Sequence, residues 1–237
     1  MNPEYVEIFK QRGHPYHAAM QAFPDARNAE FEQLFAAHPL EGVPRILDIP
    51  AGGGYLARHL GARAQVTSRE ITPGFSLDTE LADPDDLSAF SGYDRAICLA
   101  ALHHFEDPIS FLTRLRGTLK PGGILHVADV CAGSPLGDYL DGFVGRYNIT
   151  GHDGRYLGAD RARYASLGRV ERCEEVHCRW QFRDEADMLA FAGSLFGLVD
   201  HPLAELRDAL RRLVGFRVTD TGVELDWRLL YIDIVND

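Results

Sequence analysis

The chain has few cysteines and none of the usual metal-binding spacings. Its cysteines are Cys98, Cys131, Cys173 and Cys178, and the sequence contains neither a Cys-x-x-Cys pair nor a His-Glu-x-x-His segment. Cys173 and Cys178 are an odd number of residues apart, so within one strand they point to opposite faces. We therefore expect free, mostly buried thiols and no bound metal.

Long apolar runs and a surplus of positive charge are also absent. No window approaches the ~18 consecutive apolar residues of a transmembrane helix, and the polar N-terminal segment lacks the apolar core of a signal peptide. The formal net charge of -11 disfavours binding to a nucleic-acid backbone, which needs a concentration of lysine and arginine. We therefore expect a cytoplasmic protein that binds neither membranes nor nucleic acids.

The rest of the composition is that of an ordinary globular protein. Of 237 residues, 46% are hydrophobic and 25% are charged, which is enough for one large domain with a small cap. Apolar strands and amphipathic helices alternate with short joints up to about residue 130, a pattern typical of a doubly wound parallel α/β sheet. The predicted strands are 45–49, 64–70, 93–99 and 124–130, and the predicted helices are 25–37 and 108–119.

The second half of the chain follows a different pattern. Residues 132–167 fit neither the helical nor the strand period, and such long irregular segments are usually functional. Residues 176–182 and 223–229 each alternate between apolar and polar side chains, which predicts two antiparallel strands buried on one side. Two amphipathic helices between them, at 184–213, are interpreted as a cap or as a homodimer face.

The most informative segment is RILDIPAGGGY at Arg45–Tyr55. A short apolar strand ends at Asp48 and runs into three consecutive glycines, Gly52 to Gly54. Because glycine lacks a Cβ, the backbone can turn sharply there and lie directly against a ligand. The segment predicts a strand that feeds a nucleotide-binding turn.

Four pieces in order carry a resemblance to a known family. They are LDIPAGGGYL, Glu70 at the end of the second strand, LADPDDL at residues 81–87, and LAALHHFEDP with LKPGGILHVAD between residues 99 and 129. With them the chain resembles the class I S-adenosylmethionine-dependent methyltransferases, particularly the small-molecule type of menaquinone and ubiquinone biosynthesis.

The resemblance implies a doubly wound, mostly parallel seven-stranded sheet with an antiparallel terminal strand pair and a helical cap. From the N-terminal segment itself we expect residues 1–44 to form a helical lid, with a surface helix as the alternative. Residues 45–237 would form the cofactor-binding domain, with cap or substrate segments at 132–167 and 184–213. The implied activity is methyl transfer from S-adenosylmethionine to oxygen, nitrogen or activated carbon of a small molecule, leaving S-adenosylhomocysteine. The family's Asn-Pro-Pro-Tyr motif is absent after the fourth strand, which disfavours DNA, RNA and protein-glutamine substrates.

The resemblance also assigns roles around the cofactor. Asp48 would anchor the methionine ammonium, Glu70 would accept both ribose hydroxyls, and Asp83 would accept from the adenine amino group. The implied cofactor-binding residues are Asp48, Pro50, Ala51, Gly52, Gly54, Glu70, Asp83, Leu99 and Ala100. Pro50 replaces the family's first glycine, and the interval from Glu70 to Asp83 is so short that we predict a turn in place of a crossover helix.

Other interpretations of the glycine segment stay open. The G-x-G-x-x-A pattern of dinucleotide-binding proteins is also met by Gly52, Gly54 and Ala57, and an acidic residue, Glu70, lies 18 residues past Gly52. A nicotinamide-dinucleotide oxidoreductase is therefore an alternative. A catalytically silent S-adenosylmethionine-binding scaffold is another. An enzyme requires an open cavity beside the cofactor, whereas a scaffold allows residues 132–167 to fill it.

Three histidines are candidate catalytic residues. His103 and His104 follow the fourth strand, and His152 lies in a glycine-rich loop; an imidazole can take a proton from an acceptor near neutral pH. For the first two, the alternative is that one packs beside the cofactor and the other faces solvent, since adjacent helical residues do not share a face. For His152, the alternative is an ordinary turn of the loop.

Overall fold

The structure is a computed structural model that describes residues 3–75 and 79–237. The first two residues of the predicted lid, and residues 76–78 of the predicted turn between Glu70 and Asp83, lie outside the described residues. The helices are α1 (Pro3–Ala22), α2 (Asn28–Leu34), α3 (Tyr55–Leu60), α4 (Pro108–Arg116), α5 (Pro135–Asp138), α6 (Gly145–Tyr147), α7 (Glu185–Leu195) and α8 (Leu203–Ala209). The strands are β1 (Arg45–Asp48), β2 (Gln65–Glu70), β3 (Glu80–Leu81), β4 (Tyr93–Leu99), β5 (Leu119–Asp129), β6 (Arg169–His177), β7 (Trp180–Phe182), β8 (Phe216–Thr219), β9 (Gly222–Leu225) and β10 (Arg228–Val235).

Several short helical segments complete the chain. A π-helical stretch at Tyr139–Val144 joins α5 to α6, and another at Leu210–Val214 extends α8. Tight 3-10 turns occur at Gly61–Arg63, Leu102–His104 and Arg161–Leu167. Among the described residues, no helix has both the length and the apolar character needed to cross a bilayer.

Seven strands form the central sheet in the order β3-β2-β1-β4-β5-β10-β6. The pairs from β3 to β5 are parallel, whereas β10 is antiparallel to both β5 and β6. This confirms the predicted α/β fold with its antiparallel terminal pair. Because the chain passes outward from β1 to β2 and later returns to β4 on the other side, a crevice opens at the carboxyl end of β1.

The sheet is buried on both faces. Neighbouring residues of β1, Ile46 and Leu47, belong to opposite apolar cores, as the alternation of side chains along a strand requires. Helix α1 contributes to both cores, with Phe9 in one and Met20 in the other. The middle of α1 therefore crosses the carboxyl edge of the sheet, above the crevice.

The two predicted alternating strands are each broken, which corrects the sequence interpretation. Residues 176–182 are divided between β6 of the central sheet and β7 of a small antiparallel sheet, β7-β9-β8, and residues 223–229 are divided between β9 and β10. The Cys178 amide donates to the Trp227 carbonyl over 2.8 Å, and the Trp227 amide donates to Leu225 over 2.8 Å. The first of these bonds holds the two breaks side by side, so both segments pass between the two sheets at a single place.

Helix α4 ends earlier than the apolar spacing predicts. Thr118 turns back to the Leu115 carbonyl through both its amide (3.1 Å) and its hydroxyl (2.7 Å), and Leu119 already pairs with Tyr93 as the first residue of β5. The Lys-Pro-Gly-Gly segment therefore opens a strand and does not terminate a helix.

The start of α4 gives a stability prediction. Asp107 precedes the helix and its Oδ1 accepts the Ser110 amide at 3.0 Å, so alanine at this position leaves a helical N–H without a partner. Asp107→Ala is expected to cost about 1 kcal/mol and to lower the melting temperature by about 2–4 °C. Glu106→Ala, at the exposed neighbouring position, serves as the control in the same thermal scan. Equal melting temperatures for the two variants would contradict the capping role.

Candidate cofactor and acceptor site

A cleft of about 470 Å³ lies at the carboxyl ends of β1 and β4, beneath α1. Its floor is the segment that follows β1 and the segment that follows β4, and its roof is an aromatic face of α1. Phe9 of α1 stacks on Phe75 with ring centroids 4.8 Å apart. The predicted cofactor residues Asp48, Pro50, Ala51, Gly52, Leu99 and Ala100 all line this cleft.

The glycine turn adopts a backbone that side chains would hinder. Gly52 and Gly54 have φ values of +56° and +71°, in the left-handed region that favours glycine. Gly53 is needed for a different reason, because a Cβ there would lie 2.4 Å from Nδ1 of His17 in α1. The turn is fixed to β2 through the Ala51 amide, which donates to the Arg69 carbonyl over 2.8 Å. The backbone thus forms one rim of the cleft.

Asp48 is a carboxylate that lacks a partner. Its side chain is 3% exposed and lines the cleft, and no described residue donates a hydrogen bond to it. Burial, with a smaller contribution from the negative charge of Glu70, raises the pKa of Asp48 to about 8. A ligand cation placed in the cleft would lower this pKa and pair with the ionised carboxylate.

Glu70 and Asp83 are placed differently from Asp48. The buried Glu70 carboxylate accepts the amides of Gly52 (2.7 Å) and Ile71 (2.8 Å), and it does not line the cleft. Burial raises the pKa of Glu70 to about 7, and these amides oppose the rise. Asp83 is exposed, and its Oδ1 accepts the Asp85 amide at 2.9 Å. Contacts of Glu70 with ribose and of Asp83 with adenine remain predictions.

Ala100 marks the place where the cleft meets a second cavity. It has a φ of +52°, which is uncommon for a residue with a Cβ, and its amide donates to the Ala128 carbonyl over 2.7 Å. Such backbone strain clusters at functional sites. Ala100 lines both spaces, together with Phe9, Tyr16 and Arg27.

The second space, here called the acceptor cavity, spans about 490 Å³ and is partly open to solvent. Its walls combine aromatic rings with histidine and arginine side chains. Trp180, the first residue of β7, stacks on Trp227, which lies in the break between β9 and β10, with ring centroids 3.9 Å apart. The remaining walls include Arg12, Leu140, Leu195 and Phe196. A planar apolar molecule fits such a lining.

All three predicted catalytic histidines line the acceptor cavity. His103 and His104 are 6% and 4% exposed, and their ring centroids are 4.1 Å apart. The expectation that adjacent residues cannot face one site is therefore wrong. The two residues occupy the 3-10 turn at Leu102–His104, where the helical argument does not hold. His152 completes the group, 5.4 Å from the His103 ring and 5.2 Å from the His104 ring.

Two of these histidines are oriented by carboxylates. Nδ1 of His103 lies 2.6 Å from Oδ1 of the buried Asp129, and Nδ1 of His152 lies 2.8 Å from Oδ1 of Asp141. With Nδ1 donating, each ring presents Nε2 as a proton acceptor. Burial lowers the pKa of His104 well below its usual range and that of His152 to about 4, so both rings are neutral at pH 7.

The histidine group is also able to hold a metal ion. One ligand atom from each of the three residues lies within 4.8 Å of the others, the only such group among the described residues. His152 comes from a loop far along the chain, so no local spacing in the sequence signals the group. The expected absence of a metal stays a prediction.

Sequence analysis missed the cavity residues outside the motifs. Arg12 belongs to α1, and Trp180 and Trp227 reach the cavity only because the strands break beside them. The position of Asp129 could have been predicted from the sequence, because Asp129 ends β5 at the same edge of the sheet where Asp48 ends β1. Asp141 had none, because it lies within the irregular 132–167 segment.

Comparison with known proteins gives a family for this chain. A family described as a methyltransferase domain matches residues 17–187, which is more than half of the chain. A ubiquinone biosynthesis O-methyltransferase from Cereibacter sphaeroides is 31% identical over 113 residues, covering 41% of this chain and 45% of that protein. An uncharacterized methyltransferase from Mycobacterium bovis is 32% identical over 113 residues, covering 42% and 57%. The chain thus spans less than two thirds of either relative.

The fold also has counterparts among solved structures. An S-adenosylmethionine-dependent methyltransferase from Thermotoga maritima superposes with a TM-score of 0.61 at 14% identity, covering 98% of this chain and 100% of that one. This likeness concerns the fold, whereas the family match concerns the sequence itself. Together with the glycine turn after β1, they show that the chain belongs to the class I S-adenosylmethionine-dependent methyltransferases.

Proposed function

We propose that this protein transfers a methyl group from S-adenosylmethionine to a small organic molecule, at oxygen, nitrogen or an activated carbon. The observation that carries the proposal is the junction of two spaces at Ala100, one suited to the cofactor and one to the acceptor. Direct displacement requires the donor methyl and the acceptor atom to be held in line. Two adjacent cavities that share four lining residues, among them Ala100, support such an arrangement.

The cofactor cleft fits S-adenosylmethionine by its own chemistry. Asp48 is a buried carboxylate without a partner, which suits the methionine ammonium, and the turn at Gly52–Gly54 lets backbone lie against the ligand. When bound, the cofactor supplies an electrophilic methyl group on sulfur. The chain supplies orientation and exclusion of water, which the buried aromatic roof of α1 favours.

The acceptor cavity supplies a group that takes a proton. His103 lines the cavity while Asp129 holds its Nδ1, so the free Nε2 can accept the proton of a hydroxyl or amine as that group attacks. His104 and His152 border the same space and complete a polar end opposite the aromatic wall. His103 is therefore proposed as the general base.

The open cavity favours an enzyme over a silent scaffold. Residues 132–167 contribute Leu140 and His152 to its wall and leave about 490 Å³ unfilled. The family match weighs against the nicotinamide-dependent alternative. The relative that acts in ubiquinone biosynthesis supports a small-molecule acceptor.

Calorimetric titration tests the first half of the proposal. We expect S-adenosylmethionine and S-adenosylhomocysteine to bind with micromolar affinity and NAD not to bind; no binding of the first two, or tighter binding of NAD, would overturn it. Incubation with isotope-labelled cofactor and a broad panel of small metabolites, followed by mass spectrometry, then tests transfer. Cofactor binding without labelled product across the panel would favour the scaffold.

A further inference from the structure

Arg12 is a buried cation in the acceptor cavity. Its residue is 4% exposed, and no described residue accepts a hydrogen bond from its Nε or Nη1. It lines the acceptor cavity but not the cofactor cleft. Its Cζ lies 5.5 Å from the ring centroid of Phe9, a contact that leaves the polar edge of the guanidinium unused. A guanidinium hidden from water in this way requires an anion.

Arg27, the other arginine of the cavity, differs from Arg12 because its side-chain nitrogens have hydrogen-bond partners within the protein. Its Nε donates to Glu30 over 3.1 Å, a second nitrogen pairs with the same carboxylate, and Nη1 donates to the Tyr16 hydroxyl. Trp180 also donates to Glu30, over 2.6 Å. Arg27 therefore acts as a structural residue, whereas Arg12 has no comparable carboxylate among the described residues.

The other polar groups around the cavity do not neutralise Arg12. Asp129 and Asp141 are occupied by His103 and His152 and by backbone amides. Tyr16 is a neutral phenol, because burial raises its pKa, and its hydroxyl already accepts a hydrogen bond from Arg27. The cavity thus carries one positive charge whose partner must come with the ligand.

We propose that Arg12 binds the acid group of the methyl acceptor, and that this acceptor is a small planar carboxylic acid. A guanidinium presents two parallel N–H groups that match a carboxylate. The stacked Trp180 and Trp227 form a flat apolar wall in the same cavity. The acid at Arg12 and the nucleophile near His103 would orient the acceptor toward Ala100. This inference rests on the proposed methyltransferase function and adds the substrate class to it.

Paired probes test the charge requirement without knowledge of the true acceptor. Benzoate and benzamide have nearly the same shape and differ in charge. With S-adenosylhomocysteine present, ligand-observed NMR titration is expected to show benzoate binding at least tenfold more tightly than benzamide. In Arg12→Met, which keeps the length of the side chain and removes the charge, the ratio is expected to fall to about one. Arg211→Met, at an exposed arginine stacked on Phe216, is the matched control and should keep the wild-type ratio.

Thermal unfolding of the ligand-free protein gives a second readout. Arg12→Met should raise the melting temperature because it removes an unpaired buried charge. Arg27→Met should lower it because the buried Glu30 carboxylate then loses its counter-charge. If Arg12→Met does not fold, Arg12→Gln is titrated in its place, with folding checked by circular dichroism.

Three results would overturn the inference. They are equal binding of benzoate and benzamide, unchanged benzoate binding in Arg12→Met, and binding of neither probe up to about 10 mM. Titration of S-adenosylhomocysteine in the same samples shows whether the proposed methyltransferase function fails as well, or only the assignment of the substrate class. If the cofactor product binds and the acid preference is missing, only the substrate class is wrong.

Discussion

Replacing Asp48 by asparagine is expected to weaken S-adenosylmethionine binding by about 10- to 100-fold, the usual worth of a charge-assisted hydrogen bond. The same change is expected to stabilise the protein in the absence of cofactor. Asp48 is 3% exposed and no described residue donates to it, so its negative charge opposes folding when no cation is bound. Removal of this charge in Asp48→Asn should raise the free energy of unfolding by about 1–3 kcal/mol. Each kcal/mol corresponds to a rise of about 2–4 °C in the melting temperature.

The stabilisation should depend on pH in a definite direction. Burial raises the pKa of Asp48 to about 8 from an ordinary value of 3.8, so the folded protein keeps this proton to a higher pH than the unfolded chain does. The free energy of unfolding is therefore highest below about pH 4, where Asp48 is protonated in both the folded and the unfolded state. This stability is lost as the pH rises through about 8 and the buried carboxyl ionises. The advantage of Asp48→Asn should be small at pH 5 and larger at pH 8.

Calorimetry and thermal scans at both pH values measure these two effects. Asp208→Asn, at an exposed position on α8, removes a carboxylate of the same kind and should change neither affinity nor stability. A lower melting temperature for Asp48→Asn at pH 8, or wild-type affinity, would contradict the role assigned to Asp48.

Replacing His103 by glutamine is expected to lower kcat by about 10²- to 10⁴-fold, the range for loss of a positioned general base. Cofactor affinity should not change, because His103 lines the acceptor cavity and not the cofactor cleft. Single-turnover rates with the acceptor found in the metabolite panel measure the first quantity, and calorimetry measures the second.

His59→Gln is the matched control for this substitution. His59 lies on α3, where its ring contacts Asn28 and Glu32 outside both cavities, so turnover should stay at the wild-type level. A wild-type rate in His103→Gln would show that transfer needs no proton acceptor at this position. Loss of cofactor binding in His103→Gln would instead indicate a structural role.

The fold could be predicted from sequence because its signals are local. Apolar residues are concentrated in the strands at 45–48 and 93–99, and the alternation of strands and helices along the chain indicates a parallel doubly wound sheet. The breaks at Cys178–Arg179 and Asp226–Trp227 could not be predicted. They depend on hydrogen bonds between segments that are distant along the chain, and the alternation of side chains continues through them.

The candidate site likewise contains residues that the sequence predicts and residues that it does not. Asp48 and the glycine turn can be predicted because these cleft-bordering groups lie close together in the chain. Arg12, by contrast, comes from α1, and the helical period of α1 does not distinguish a charge facing solvent from one facing a cavity. His103 and His104 were judged by the geometry of an α-helix, and the 3-10 turn they occupy brings both rings to one side.

The stacked pair Trp180 and Trp227 has a practical consequence. These are the chain's only two tryptophans, and both line the acceptor cavity while neither lines the cofactor cleft. Nearly all of the indole fluorescence therefore arises beside the acceptor, without any label. A planar acid entering the cavity should change the emission directly, whereas the cofactor can act only indirectly. The wild-type protein thus carries its own optical reporter for the acceptor cavity, suited to screening candidate acids at micromolar protein.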